Sequence, residues 1–408
     1  MKRLAVPFLS RLSVLFVAAA LLPGGARADV PRVRNGDTPQ QGVRTLRLSE
    51  LWRAGGEEDE ILFGAIGQAA ADEEGKVYLL DRQLAHVQVF SPDGRLLGTL
   101  GREGDGPGEL RRPRDLVLLP DAAIGVLQMS PGMIVKLARD GTPAGSIILG
   151  AGDPLAGGRH MAYGAACRGG SLVVCAEAMS PRAGEISQHR YLARVDETGG
   201  AVVRYLERTI TQDVSTAVWD EAVDYFVHLG GWALGPDGRV YAAPVRDRYE
   251  IRVYRPDGTP ELIITRPFKP RRRTAEEKER AQQSRRMIVL GREIDRIACD
   301  DDPVVLQMRV DGANRLWVLH GRSGHDQPEG VFQTYDIFDP DGSFVLQTAI
   351  ACEGRRGDRL FFLGDDRALL VKGYAGAAMA AVGGGVAGGA AGEDEAAPPE
   401  VVCYRIPE

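Results

Sequence analysis

The chain has 408 residues, 44% of them apolar and 26% charged, with a formal charge of −6. An acidic chain is a poor electrostatic match for nucleic acid or anionic lipid, so neither is expected as a partner. No stretch approaches the roughly twenty consecutive apolar residues that a bilayer span requires.

The N-terminus reads as a secretory signal covering residues 1–28. Lys2, Arg3 and Arg11 supply a positive start, Leu12 to Leu22 an apolar run, and Ala26-Arg27-Ala28 a small-x-small cleavage pattern. A periplasmic or secreted protein is the expectation. Losing Lys2, Arg3, Arg11 and Arg27 takes the formal charge from −6 to −10. Five cysteines follow, an odd number in an oxidising compartment, and none forms a CxxC pair.

Two strand patterns then alternate along the chain. The first is a turn followed by an apolar run: Gly75 to Asp81, Ala123 to Leu127, Gly170 to Cys175, Gly238 to Ala243, Asn314 to Leu319 and Asp366 to Val371. The second alternates apolar and polar residues and usually ends in an Asp-Gly turn: His86 to Gly94, Met133 to Gly141, Arg190 to Gly199, Glu250 to Gly258, Tyr335 to Gly342 and Glu400 to Glu408. Period-two alternation bounded by such turns marks hairpins. An apolar strand precedes each first pattern, and one follows each second pattern except the last. Six units of four antiparallel strands predict an all-β fold, a six-bladed β-propeller over residues 43–408. The sixth unit lacks its outer strand. Val43 to Trp52 is therefore expected to complete blade six, since an open ring would expose backbone donors and acceptors. A closed ring of this kind is expected to be a monomer.

Three segments interrupt the blades. Residues 204–228 carry Trp219, Tyr225 and Phe226. Residues 267–300 begin with a basic run and read as a partly helical insertion. Thr274 and Glu277 form a capping box there, and Met287, Leu290, Ile294 and Ile297 fall at helical spacing. Residues 373–400 are Gly/Ala-rich and are expected to be a flexible loop between the second and third strands of blade six.

The stretch from Gly75 to Leu116 resembles an NHL repeat and the related bacterial six-bladed propellers. The matching residues are Val77 to Arg82, Val87 to Phe90, Asp93-Gly94 and Gly101 to Pro113. The resemblance implies the fold. It leaves the function open, because propellers host binding proteins and several classes of enzyme.

Loops leading into innermost strands converge on one mouth of a propeller's channel, the default ligand site. The residues there are Arg114, Asp115, His160, His228, Asp301, Asp302, Arg356 and Asp358. His160 and His228 sit at matching points of neighbouring blades. Some propeller lyases and hydrolases hold zinc or calcium there, so two histidines and a carboxylate would make a zinc site. Cys299 and Cys352 precede the inner strands of adjacent blades and are candidates for a disulfide. A two-residue Gly169-Gly170 turn would pair Cys167 with Leu172 and set Cys167 and Cys175 on opposite sides. The loop Gly101 to Gly108 opens no helix and lacks the ending of a P-loop. The residues predict a non-catalytic exported propeller that binds a protein, peptide or small molecule at the channel mouth. A metal-assisted lyase or hydrolase is the alternative.

Overall fold

In the computed structural model, residues 29–407 are described, apart from 58, 151–158, 228–229, 284–286, 290–291, 326 and 383–397. Each repeat folds into one four-stranded antiparallel sheet, and the six sheets stand around a common axis. The innermost strands are Ile66–Ala71, Pro113–Leu118, Arg159–Arg168, Trp232–Leu234, Val305–Val310 and Arg359–Phe362. They belong to blades one to six in that order. The Pro-Asp-Gly turns close the outer parts of blades. At Gly94 the backbone adopts φ +89°, and an added Cβ would lie 2.5 Å from the Trp52 ring, so only glycine fits.

The core is divided among the interfaces between blades. A cluster of buried apolar side chains fills each of the six: Tyr78, Leu80 and Val126 between blades one and two, for example, and Ile251, Val318 and Phe338 between four and five. Strands buried on both faces explain why residues of the second strands, such as Val77 to Asp81, are uniformly buried.

The N-terminal segment closes the ring by a longer route than the sequence suggests. Ser49–Gly55 is the fourth strand of blade six, antiparallel to Glu400–Arg405. Val43–Arg47, expected in the same blade, instead runs parallel to Phe344–Ala351 as a fifth strand of blade five. Arg32–Arg34 does the same for blade four, parallel to Pro260–Thr265. One strap thus covers three consecutive outer edges. Leu48 makes the crossing from blade five to blade six, its N–H donating to Ala351 O at 3.0 Å. Trp52 locks the seam: its ring stacks on Phe90 of blade one at 5.5 Å and its indole N–H donates to Pro92 O at 3.2 Å.

The insertions also differ from expectation. The fourth strand of blade three extends over Ala201–Asp213, so the first insertion begins only after it. The capping box forms, with the Thr274 N–H donating to Glu277 and the Glu277 N–H to the Thr274 hydroxyl, but the helix covers only Ala275–Gln283. Met287–Val289 and Arg292–Ile297 make a β-hairpin, not a continuation of the helix, and the second of these pairs in parallel with Val218–Asp220. The β-branched Ile288-Val289 pair and Gly291 oppose helix. Ile294 is buried there while Ile297 is half exposed; Leu290 lies outside the described residues. In the Gly/Ala-rich segment Tyr374–Val382 is helical, and most of the remainder lies outside the described residues. No helix among the described residues is long and apolar enough to cross a membrane.

Trp52→Ala should lower unfolding stability by about 3–5 kcal/mol, because it empties the seam between first and last blades. Chemical denaturation measures this, and a loss under about 1 kcal/mol would mean that the seam does not depend on the indole.

Candidate functional site

Bulges set the inner rim. Four innermost strands carry a β-bulge near their start, at Ile66/Gln68, Pro113/Asp115, Ala162/Gly164 and Val305/Gln307. Each adds one residue and re-aims the side chains around it. Gln68 and Asp115 become equivalent positions, and the Gln68 amide donates to Asp115 Oδ1 at 2.7 Å. Asp115 also accepts from the N–H of Leu116 at 2.8 Å and of Ala165 at 2.9 Å, so it joins blades one, two and three. Burial raises its pKa, against the pull of these hydrogen bonds. Arg114 donates to Tyr163 O at 3.3 Å.

His160 turns away from this rim. Its ring occupies the space that a side chain at Gly150 would need, with Nδ1 3.5 Å from the Tyr191 hydroxyl, between blades two and three. The bulge at Ala162/Gly164 is the reason: it inverts the alternation, so His160 follows Ala162 toward blade two. His228 lies outside the described residues. Among the described residues no three of His, Cys, Asp and Glu gather to hold a metal ion. The residues described therefore do not supply a zinc or calcium donor set.

Arg356, Asp301 and Asp302 meet a network that pins the insertion to the propeller. Arg271 pairs with Asp302 and Glu277, Arg356 also reaches Glu277, and Arg273 pairs with Asp302 and Glu221. Arg246, from blade four, adds Glu221 at 3.0 Å and the Asp301 carbonyl at 2.6 Å. Burial would raise the Glu221 carboxyl, but hydrogen bonds from Arg273 and the Cys299 N–H, with the charge of Arg246, hold it at about 2. Asp358 accepts from the Arg355 and Gly373 N–H groups and so shapes a loop. All five cysteines are free thiols, so Cys299 and Cys352 are not joined; the Cys352 side chain packs against the blade five–six core. Cys167 does pair with Leu172 across the glycine turn.

A cleft lies elsewhere, in the gap between the outer parts of blades four and five. Its volume is about 770 Å³. One wall is the blade-five sheet with its strap strand, including Thr45, Arg47 and Ala349. The other is Arg266 to Lys269 leaving blade four, and the loop around His325 and Val331 borders both. Its floor is a saturated polar centre. Asp336, fully buried, accepts from Arg266 (2.6 Å), Tyr249 (2.8 Å) and Gln347 (3.0 Å), with His320 Nε2 at 3.6 Å. The Arg266 guanidinium is held among the rings of Tyr249, Phe268 and Phe344. Burial opposes ionisation of Asp336, but His320, Arg266 and Gln347 keep it at about 2. The Arg322 N–H points at His320 Nδ1 (3.3 Å), so the ring's proton is assigned to Nε2, facing Asp336. Burial, reinforced by the charges of Arg271 and Arg356, lowers the pKa of His325.

Arg266, His320 and His325 are not among the residues that the sequence singled out as a site. The available signal was topological: both segments leave adjacent blades on one face.

No protein-family model and no curated protein sequence matches the chain. Among solved structures it is similar to regucalcin, a calcium-binding protein from Agrobacterium tumefaciens, with 10% identity, a TM-score of 0.43 and coverage of 89% of this chain and 96% of that one. It is also similar to a gluconolactonase from Xanthomonas campestris, with 13% identity, a TM-score of 0.43 and coverage of 88% and 98%. For a streptogramin B lyase the figures are 11%, 0.42, 88% and 98%. No residue role is carried over from them.

The Glu221 carboxyl stands at about 2 against an ordinary 4.5, so its stabilisation is complete above about 4.5 and is lost as pH falls toward 2. Glu221→Gln should flatten that acid limb by on the order of 3 kcal/mol. Denaturation at pH values through this window reads it, and an unchanged limb would remove Glu221 as its source.

Proposed function

We propose that the protein is an exported, non-catalytic binding propeller whose ligand sits in the cleft between blades four and five rather than at the channel mouth. One observation carries the reading: this cleft has a saturated floor and uncommitted walls. Asp336 has its oxygens occupied, and both His320 nitrogens face partners, so neither is free to take a proton from a substrate. Val43, Pro267, Phe268 and Val331 supply apolar surface beside polar groups, the usual make-up of a binding site. The mouth residues are engaged otherwise: Asp115 in joining blades, Arg356 in the ion network, Asp358 in its loop. Export rests on the sequence of residues 1–28.

A fragment screen of the mature protein by ligand-observed NMR tests the reading. Fragments should bind, and Val331→Trp, which narrows the cleft from a half-buried loop position, should abolish their binding at unchanged melting temperature. Fragments that bind both proteins equally would place the site elsewhere. Zinc or calcium retained at about one equivalent, and required for turnover of an ester or lactone, would replace this reading by a metal-assisted enzyme.

A further inference from the structure

The loop Gly321 to Val331 borders the cleft; it follows His320 directly and carries His325. It is tied to blade five by the Gly321 N–H donating to Val304 O (3.0 Å) and the Thr334 N–H to Ser323 O (3.1 Å). The Thr334 hydroxyl adds a bond to Gln327, and the Arg322 N–H donates to His320 Nδ1 at 3.3 Å. That last tie needs a lone pair on the ring. A proton on Nδ1 sets two donors against each other and breaks it.

The surroundings of His320 leave the ring no other way to gain charge. Asp336 already faces Nε2 at 3.6 Å, itself paired with Arg266 and bonded to Tyr249 and Gln347. The Phe268 ring lies 5.0 Å away, Val305 pairs with His320 across the sheet, and the Ser323 hydroxyl accepts from its backbone N–H. A charged ring keeps its face to Asp336 and loses the loop.

His325 acts in the same direction. It is half-buried, and the charges facing it are Arg271 from the chain leaving blade four, Arg356 from the loop into blade six, Asp302 from the loop into blade five and Glu277 from the helix. Asp302 and Glu277 are already engaged by Arg271, Arg273 and Arg356. The adjacent Asp326 lies outside the described residues. With the loop in place, burial and then the two arginines hold His325 below the ordinary 6.5; a loop swung into solvent returns it to that value. The seated loop is therefore favoured above about 6.5 and loses ground as pH falls below it. Asp336 and Glu277 stand at about 2 and stay ionised throughout.

Resting on the cleft as the binding site, we propose that Gly321 to Val331 is an acid-released border of it: protonation of His320 and His325 frees the loop, and the bound ligand is let go. A ligand that needs the loop in place competes with those protons, each weakening the other's binding by the same factor.

The test is hydrogen exchange of the ligand-free mature protein, read by mass spectrometry over residues 321–331 and corrected for the intrinsic effect of pH. From about pH 7.5 to about pH 5.5, opening of the loop should rise by up to about tenfold for each histidine, while Val77–Asp81 keeps its protection. His320→Asn retains an acceptor for the Arg322 N–H at every pH, because its Oδ1 stands where Nδ1 stood. His325→Asn removes the second titrating ring. The two together should abolish the rise, with melting temperature confirming that the variant is folded. Equal opening at both pH values, or a rise that persists in the double variant, would overturn the proposal. Cleft fragments should bind more weakly at the lower pH, and in the double variant they should not. Fragments that bind equally at both pH values although the loop opens would refute the release. Absence of fragment binding at either pH would remove the cleft as the site, and the release with it, whatever the exchange shows.

Discussion

A sheet that ends in an unpaired strand exposes a row of backbone donors and acceptors, and this constraint organises the whole molecule. A propeller protects most of its edges by turning them to the rim or to the axis. This chain goes further, laying residues 32 to 55 along three successive outer edges before the ring begins. The last of those strands is also the missing strand of blade six, so covering edges and closing the circle are one act. Trp52, buried between blades six and one, converts that backbone closure into side-chain packing.

Once the ring is closed, its faces are decorated by segments that cannot fold alone. The insertion after blade four is a nine-residue helix and a short hairpin, with little apolar surface of its own. Charge holds it: Arg271 and Arg273 face Glu221, Glu277 and Asp302, with Arg246 reaching in from the propeller. Partly buried pairs in a network of this kind resist screening better than isolated surface pairs. The network also fixes where Lys269 and Phe268 stand, and so shapes one wall of the cleft.

The polar floor beneath the cleft serves the same end. Removing either Arg266 or Asp336 would strand a buried charge, whereas together they are a neutral, rigid base. Rings of Tyr249, Phe268 and Phe344 close around the guanidinium and leave it no freedom to swing toward a ligand.

The fold was legible because its signals are local. Alternation such as His86 to Phe90, Pro-Asp-Gly turns and the recurrence of both six times follow from backbone chemistry that each repeat carries within itself. The capping box at Thr274 and Glu277 is equally local, and so is the turn that pairs Cys167 with Leu172. The tertiary structure alone decided the site. A bulge at Ala162/Gly164 inverts one strand and turns His160 from the axis, and no period-two count can register an extra residue. Val43–Arg47 has the composition of a strand, but its partner is 304 positions away and was settled by which edge stood open. Asp336, His320 and Arg266 come from three different strands or loops, with nothing in their spacing to unite them. Sequence specifies what each segment can pair with; only the closed ring determines which groups then face one another across a gap.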